Sequence, residues 1–331
     1  MPSPVSPATH DQALSILAEP VASALVEVER RLENLIPEQI GGLVPVIYRH
    51  VLQAGGKRLR PILALLSCSA AGGDQSAAVD LAVAVEVLHL SSLIHDDVID
   101  QATERRGRPS VRQRWGNRAS ILVGDFLVAE VFRRLADDLG RQSLTVLAQS
   151  VVDMCQAELT ETENGPTEDE YFCNIRGKTA ALMASACEIG AIAAGNDSAT
   201  RSLHQYGEKL GLAFQIVDDL LDLYGDPGAL GKPVLQDLRE GHWTLPVIQA
   251  LSEADAGQRA ALLELLRAAP HDDEAARAAA ELTAELGGRA YAREYAARLA
   301  NEAAEALGQL APSPAVESLR SLAAYVLTRH H

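Results

Sequence analysis

Two short acidic runs set inside apolar helices restrict what this chain can become. Asp96-Asp97-Val98-Ile99-Asp100 follows Ser91-Ser92-Leu93-Ile94-His95, and Asp218-Asp219-Leu220-Leu221-Asp222 follows Phe214-Gln215-Ile216-Val217. On a helix, positions four apart share a face, so Asp96 stands over Asp100 and Asp218 over Asp222. Carboxylates stacked one turn apart repel, and burying them without a partner is costly. A divalent cation removes both penalties. A hard ion such as Mg2+ suits carboxylate oxygens and shares its other positions with water and substrate phosphates. One such run is common on a solvated helix face. Two runs, each set among Leu, Ile and Val, are better read as a metal site.

The totals narrow the class. With 331 residues, 47% hydrophobic, the chain can bury a large core. Abundant Ala and Leu, short β-branched runs and only 4% aromatic residues favour an all-α protein. A formal net charge of −16 argues against general affinity for nucleic acid or anionic membrane. An anionic substrate would therefore need a local basic cluster or a bound metal. Cys68, Cys155, Cys173 and Cys187 lack metal or disulfide spacing and read as small apolar core residues in a reducing compartment. Asp11, Glu19, Glu27 and Glu29 deny the N-terminus the order of a signal peptide. No stretch reaches about 18 apolar residues without charge, so no bilayer span and a cytoplasmic location are expected.

Along the chain, residues 1–10 read as disordered, and 11–331 as one large helical domain with no strand pattern. Helices are expected at 11–35 and 38–53, from the Gly55–Pro61 loop to about Ala71, and up to about Gln101. Gly72-Gly73-Asp74 ends one helix and caps the next. A polar loop covers 103–110, and helices follow at 117–140, 142–163, 178–195 and 199–224. Thr167 and Glu170 form a capping box. Gly225, Pro227, Gly228, Gly231 and Pro233 mark a mobile loop over 225–235. The remaining helices are placed at 236–252, 255–268, 273–286, 289–308 and 314–329, the last with Ser313 as cap and Pro314 at its first position.

Basic residues gather around these runs. Lys57, Arg58 and Arg60 follow two glycines at a helix start, where unpaired N–H groups favour anions. Arg105 and Arg106 lie just past the first aspartate helix, Lys178 opens a helix beside Thr179, and Lys232 lies in the glycine-rich loop. Each alone reads as a solvated charge. Together, in so acidic a chain, they point to a phosphorylated substrate.

In order, the chain carries Gly55-Gly56-Lys57-Arg58-Leu59-Arg60-Pro61, His89, the first aspartate set, Arg105-Arg106-Gly107, Gly124-Asp125-Phe126 and Lys178-Thr179. Phe214-Gln215 with the second set, Gly231-Lys232-Pro233, Glu240-Gly241 and Thr244-Leu245-Pro246 complete the series. Over nearly its whole length it resembles the trans-polyprenyl diphosphate synthases. The resemblance implies a single antiparallel all-α bundle around a central cavity, as a homodimer. It implies about three Mg2+ ions held by Asp96, Asp100 and Asp218, with Asp97, Asp219 and Asp222 also contacting substrate. Arg105, Lys178 and Lys232 would assist at the allylic diphosphate. Lys57, Arg60, His89 and Arg106 would receive isopentenyl diphosphate, and Thr179 and Gln215 would lie near the reacting carbons. The departing diphosphate would take the proton, since no dedicated base stands out. Two positions depart from the family pattern, His242 where Lys is general and Leu235 where Gly is frequent.

Product length is read from the first aspartate helix. Four and five residues before Asp96 stand Ser92 and Ser91, where short-chain members usually carry an aromatic. Side chains there lie about one turn below the metals. A tunnel continuing past Leu88 to Phe132 as floor gives a long product, octaprenyl as first choice within heptaprenyl to nonaprenyl, the class used as a quinone side chain. Release of such a product implies peripheral membrane contact. The alternatives are a geranylgeranyl or other shorter-chain synthase, or the catalytic subunit of a heteromeric synthase. A terpene cyclase fits poorly, because the Lys57/Arg60 motif is present and aromatics are scarce. A non-catalytic subunit fits poorly too, because both aspartate sets are complete.

Overall fold

The computed structural model describes residues 13–160, 165–230 and 234–328; the N-terminal segment expected to be disordered and Lys232 lie outside them. Helices of eight residues or more are numbered in chain order. The first half contains α1 (Ala22–Glu33), α2 (Leu43–Gln53), α3 (Leu59–Ala70), α4 (Val79–Ile99), α5 (Val111–Arg134) and α6 (Arg141–Glu158). The second contains α7 (Glu168–Ile175), α8 (Ala181–Ala193), α9 (Asp197–Tyr224), α10 (Leu245–Glu253), α11 (Ala256–Ala268), α12 (Asp273–Glu285), α13 (Gly288–Ala306) and α14 (Pro314–Thr328).

A helix that is apolar on every side belongs in the interior. Two helices meet that description. In α4, Val79, Leu81–Leu88, Leu90, Ser91 and Ile94 are all buried, and in α8 burial runs from Leu182 to Cys187 and over Ile189–Ala191. The remaining layers wrap these two. α4 packs on α1, α3, α5 and α8, while α9 packs on α8, α13 and α14. The central α8 thus touches both aspartate-bearing helices. Small residues let them approach. A Cβ at Gly190 would meet the Ala64 carbonyl of α3, and one at Gly207 of α9 would meet the Met183 carbonyl of α8 at 2.6 Å. A second, smaller core joins α10, α11 and α12 to Leu223, Leu235 and Leu238 at the end of α9 and beyond.

The local signals behave as their chemistry requires. Thr167 accepts from the Glu170 backbone N–H, and the Glu170 carboxylate accepts from the Thr167 N–H at 2.7 Å, closing the capping box. Asp74 caps the turn before α4, and Ser313 accepts from the Val316 N–H at 3.3 Å ahead of Pro314. Elsewhere the boundaries move. Helix α2 begins at Leu43, because Gly41 and Gly42 take φ of 63° and 68° and leave only a tight turn over Glu38–Ile40. The expected helix over 236–252 divides into a single turn, Gln236–Arg239, and α10, with Gly241 at φ 78° between them. Helix α5 starts six residues early, at Val111, capped by Ser110 and broken at Gly116. Residues 103–110 are not plain loop: Glu104–Arg105 and Arg108–Pro109 form a two-residue antiparallel ladder.

Two sequence expectations change. Cys68 and Cys187 are buried, but Cys155 and Cys173 are exposed, since both fall on outward faces of their helices. Gln75–Ile99 is long and apolar enough by composition to cross a membrane. It is instead the core helix of the bundle, with 72% of its most apolar window buried in the protein.

Candidate active site

The first aspartate set closes α4, with Asp100 as its C-cap. Asp96 is half-buried, Asp97 buried and Asp100 exposed. Asp97 is bound sideways: Arg105 Nε donates to its Oδ1 at 2.5 Å, which ties the hairpin to the helix. Burial pushes the Asp96 carboxyl up to about 6, against the pull of Lys178. Lys178 Nζ pairs with Glu158 Oε2 of α6 at 2.9 Å. Burial opposes its charge, but Glu158, Asp96 and Asp100 outweigh that and raise its pKa.

Lys178 reaches this position through a defect in the helix. Between α7 and α8, Arg176–Ala180 winds as a single π-turn, a feature that often marks functional sites. Gly177 lets this turn press onto α6, where a Cβ would stand 2.6 Å from the Asp153 carbonyl and 2.7 Å from Ala157 Cβ. The wider winding sends consecutive side chains to different partners, Lys178 to the first aspartate set and Thr179 to the second.

The second set lies at the end of α9. Asp219 is buried, and both its oxygens are engaged: Tyr171 O–H donates to Oδ2 at 2.5 Å and Gln215 Nε2 to Oδ1 at 2.8 Å. Thr179 Oγ1 in turn donates to Gln215 Oε1 at 2.7 Å. Asp222, also buried, caps the turn Gln236–Arg239 by accepting from the Gln236 and Asp237 N–H groups at 3.1 Å each. Leu235 enters that turn at φ 62°, a left-handed conformation that costs a branched residue roughly 1–2 kcal/mol. Its side chain is buried in the second core, which offsets the strain. His242 is exposed beside Glu240, with its Nδ1 3.6 Å from Glu240 Oε2. Burial raises the Asp237 carboxyl, reinforced by Asp219, Asp222 and Asp218. Burial also raises the Glu240 carboxyl, reinforced by Asp100 and Asp222 and opposed by Lys178.

The basic residues gather beside Glu86 and His89 of α4. Helix α3 begins behind Arg58, held at φ 50°, with no side chain capping its first N–H groups. Arg106, at φ 53°, donates from Nη1 to the Gly55 carbonyl. A Cβ at Gly56 would lie 2.9 Å from both the Arg58 and the Arg106 guanidinium, so two cations converge on that glycine. Arg58 is itself clamped, to Glu29 at 2.6 Å and to buried Glu86 at 3.2 Å. Arg60 has a buried Nε with no hydrogen-bond partner, and burial lowers its pKa only to about 10, so it stays charged. His89, one turn beyond Glu86, is held well below its usual range by burial and by Arg60, Arg106, Arg105 and Arg58, and is therefore neutral. Lys57 is exposed at the rim.

The positions read for product length separate. Ser91 is buried against α5, its Oγ donating to the Gly124 carbonyl at 3.0 Å. Ser92 is half-buried, lies on the Asp96 face one turn away, and donates within its own helix, to His89 O. Leu88 is fully buried, and Phe132 of α5 packs half-buried against the core.

These donors fit a hard divalent ion completed by substrate. Among the described residues no three metal-ligating groups converge into a preformed cage. Asp96, Asp100 and Asp218, the three ligands expected from the sequence, are therefore not gathered into one cluster. Glu86, Tyr171, Glu158, Asp237 and Gly177 were not singled out from the sequence. Glu86 had a signal, as a lone acid inside the apolar run Val85–Leu88, and so had Tyr171, two helical turns before Lys178.

The similarities agree with this geometry. Residues 43–283 match the polyprenyl synthetase family. A short chain isoprenyl diphosphate synthase of Methanothermobacter thermautotrophicus is 37% identical over 324 residues, 94% of this chain and 99% of that protein. Heptaprenyl diphosphate synthase component 2 of Geobacillus stearothermophilus is 37% identical over 93% of this chain and 96% of its own length. The crystal structure of a polyprenyl synthase from Caulobacter crescentus, complexed with calcium and isoprenyl diphosphate, superposes with a TM-score of 0.87 at 32% identity, covering 99% of both chains. With aspartate sets at the ends of two helices, a cluster of guanidiniums around Glu86 and His89, and these relatives, this chain belongs to the polyprenyl synthetase family and is an isoprenyl diphosphate synthase, a prenyltransferase.

Proposed function

We propose that the enzyme elongates an allylic diphosphate, farnesyl or geranylgeranyl, with successive isopentenyl diphosphates to a long-chain polyprenyl diphosphate, octaprenyl as first choice. The observation that carries the length is Ser92, a small side chain on the Asp96 face where the growing tail would start. A shorter, geranylgeranyl-type product is the second reading, supported by the short-chain relative at 37% identity. The component 2 relative keeps a heteromeric assembly in view. Exposed Leu43 and Val46 on α2 and Ile121 and Leu122 on the adjoining α5 offer apolar surface for a homodimer.

The mechanism follows from where charge develops. Breaking the allylic C–O bond leaves a carbocation and a diphosphate, so the chain must stabilise a departing anion. Asp96, Asp100 and Asp218 would hold Mg2+, which neutralises that anion as it leaves. Lys178 and Arg105 border the same region and contribute fixed positive charge. Arg60 and Arg106, with Lys57 at the rim, receive the second diphosphate, and the orphaned Arg60 Nε supplies a donor with nothing else to bind. The alkene then attacks the cation, and the proton lost from the new chain goes to diphosphate oxygen. Asp222 and Glu240 link the turn after α9 to both acidic sets, so closure there excludes water.

The test is to assay the purified chain alone with farnesyl and isopentenyl diphosphates and Mg2+, and to size the products by reversed-phase chromatography. A product of seven to nine isoprene units is expected. Ser92→Phe should shorten it to about four, since one turn is only about 5 Å. A wild-type product of four units, or an unchanged length in Ser92→Phe, would contradict the long-chain reading. The same preparation should scatter light as a dimer; a monomer would remove that part.

A further inference from the structure

We propose that Tyr171 is a positioning residue: through Asp219 it fixes the amide of Gln215 and thereby the direction of the Thr179 hydroxyl. This rests on the elongation reading above and names a residue that reading does not use.

The four groups form one chain of hydrogen bonds across α7, the π-turn and α9. Tyr171 donates to Asp219 Oδ2 at 2.5 Å, Gln215 Nε2 donates to Asp219 Oδ1 at 2.8 Å, and Thr179 donates to Gln215 Oε1 at 2.7 Å. Polarity runs one way along it. Asp219 accepts from Tyr171 at one oxygen and from the Gln215 NH2 at the other, so the Gln215 amide is held with its nitrogen toward Asp219. The amide oxygen must then point to Thr179, and the Thr179 proton is drawn toward it. What remains open on Thr179 is oxygen lone pairs. Beside an allylic cation, lone pairs attract and an O–H hydrogen repels.

Tyr171 is the anchor of this series. It is buried, and its ring is wedged edge-on against Phe172 with centroids 5.4 Å apart. Phe172 rests in turn on Tyr295 of α13, at 4.7 Å. The phenol therefore cannot follow Asp219 if the carboxylate turns, and it fixes the rotation of that group. Both Asp219 oxygens are engaged by protein donors, which places this aspartate in the orienting chain.

Single-turnover measurement separates bond formation from product release. In Tyr171→Phe, the rate of the first condensation should fall about tenfold, the equivalent of one lost hydrogen bond to a charged group. Both Michaelis constants and the Mg2+ concentration for half activity should stay within about twofold. In a Gln215→Ala background, Tyr171→Phe should cost nothing further, because the amide it orients is gone. A purely structural Tyr171 would lower the melting temperature and act additively with Gln215→Ala. A wild-type rate in Tyr171→Phe, additivity in the double variant, or full recovery by excess Mg2+ would each overturn the proposal. If wild type elongates and any of these holds, Tyr171 alone is misassigned. If wild type forms no elongated product, the elongation reading falls with it.

Discussion

Glu86 shows how one buried charge can serve a site at a cost to the fold. Its carboxylate is 3% exposed and faces Arg58, Arg60 and Arg106. Arg58 gains from the pair, yet burial costs Glu86 more than the three guanidiniums return, and its pKa is raised. A carboxyl raised in the folded state contributes its full stability below the unfolded value of about 4.3 and loses it as pH climbs through the folded value. Glu86→Gln keeps an oxygen for Arg58 and never ionises. Its melting temperature should match wild type near about pH 4 and exceed it at higher pH, the gap opening above the unfolded value and levelling off once pH passes the raised folded value, as calorimetry at about pH 4 and about pH 8 would show. A variant less stable than wild type near pH 8 would mean that attraction outweighs burial. At this scale the sequence exposed the residues with a pattern. Asp96 and Asp100 were legible because spacing alone stacks them on a helix. Glu86 and Tyr171 carried a signal of position but not of role, because that role comes from partners 28 and 48 positions away.

Among the elements, the capping box at Thr167 and the Ser313-Pro314 start were legible because such signals are completed within four residues. The π-turn at Arg176–Ala180 was not, since one extra residue per turn leaves no trace in apolar periodicity. The capping of the Gln236–Arg239 turn was hidden too, because it depends on Asp222, fourteen residues away; the break after it falls at Gly241, a local signal. The π-turn makes a definite demand on Gly177. Gly177→Ala would drive a methyl onto the Asp153 carbonyl, forcing α6 and the turn apart. Overpacking of this kind costs about 1–3 kcal/mol, a fall in melting temperature of several degrees. Lys178 should shift from Glu158 and Asp96, so turnover should fall more than stability alone explains. Scanning calorimetry with parallel turnover assays would show it. A variant with wild-type melting and turnover would mean that α6 yields freely.

For the whole molecule, composition already favoured an all-α architecture, and the order of motifs pointed to the family. The packing order was not readable. That α8 separates the aspartate helices follows from small-residue contacts such as Gly207 on Ala184, which only the assembled bundle reveals. The exposed Cys155 and Cys173 also depend on which faces the neighbours cover.

The proposed mechanism has the two carboxylate sets act together on one diphosphate. The most direct measurement is isopentenyl incorporation against Mg2+ concentration for wild type, Asp96→Ala and Asp218→Ala, each verified as folded by circular dichroism. Wild type should require Mg2+, and each variant should lose turnover by about 10²-fold or more while keeping its helical spectrum. Near-wild-type turnover in either folded variant would contradict a shared site.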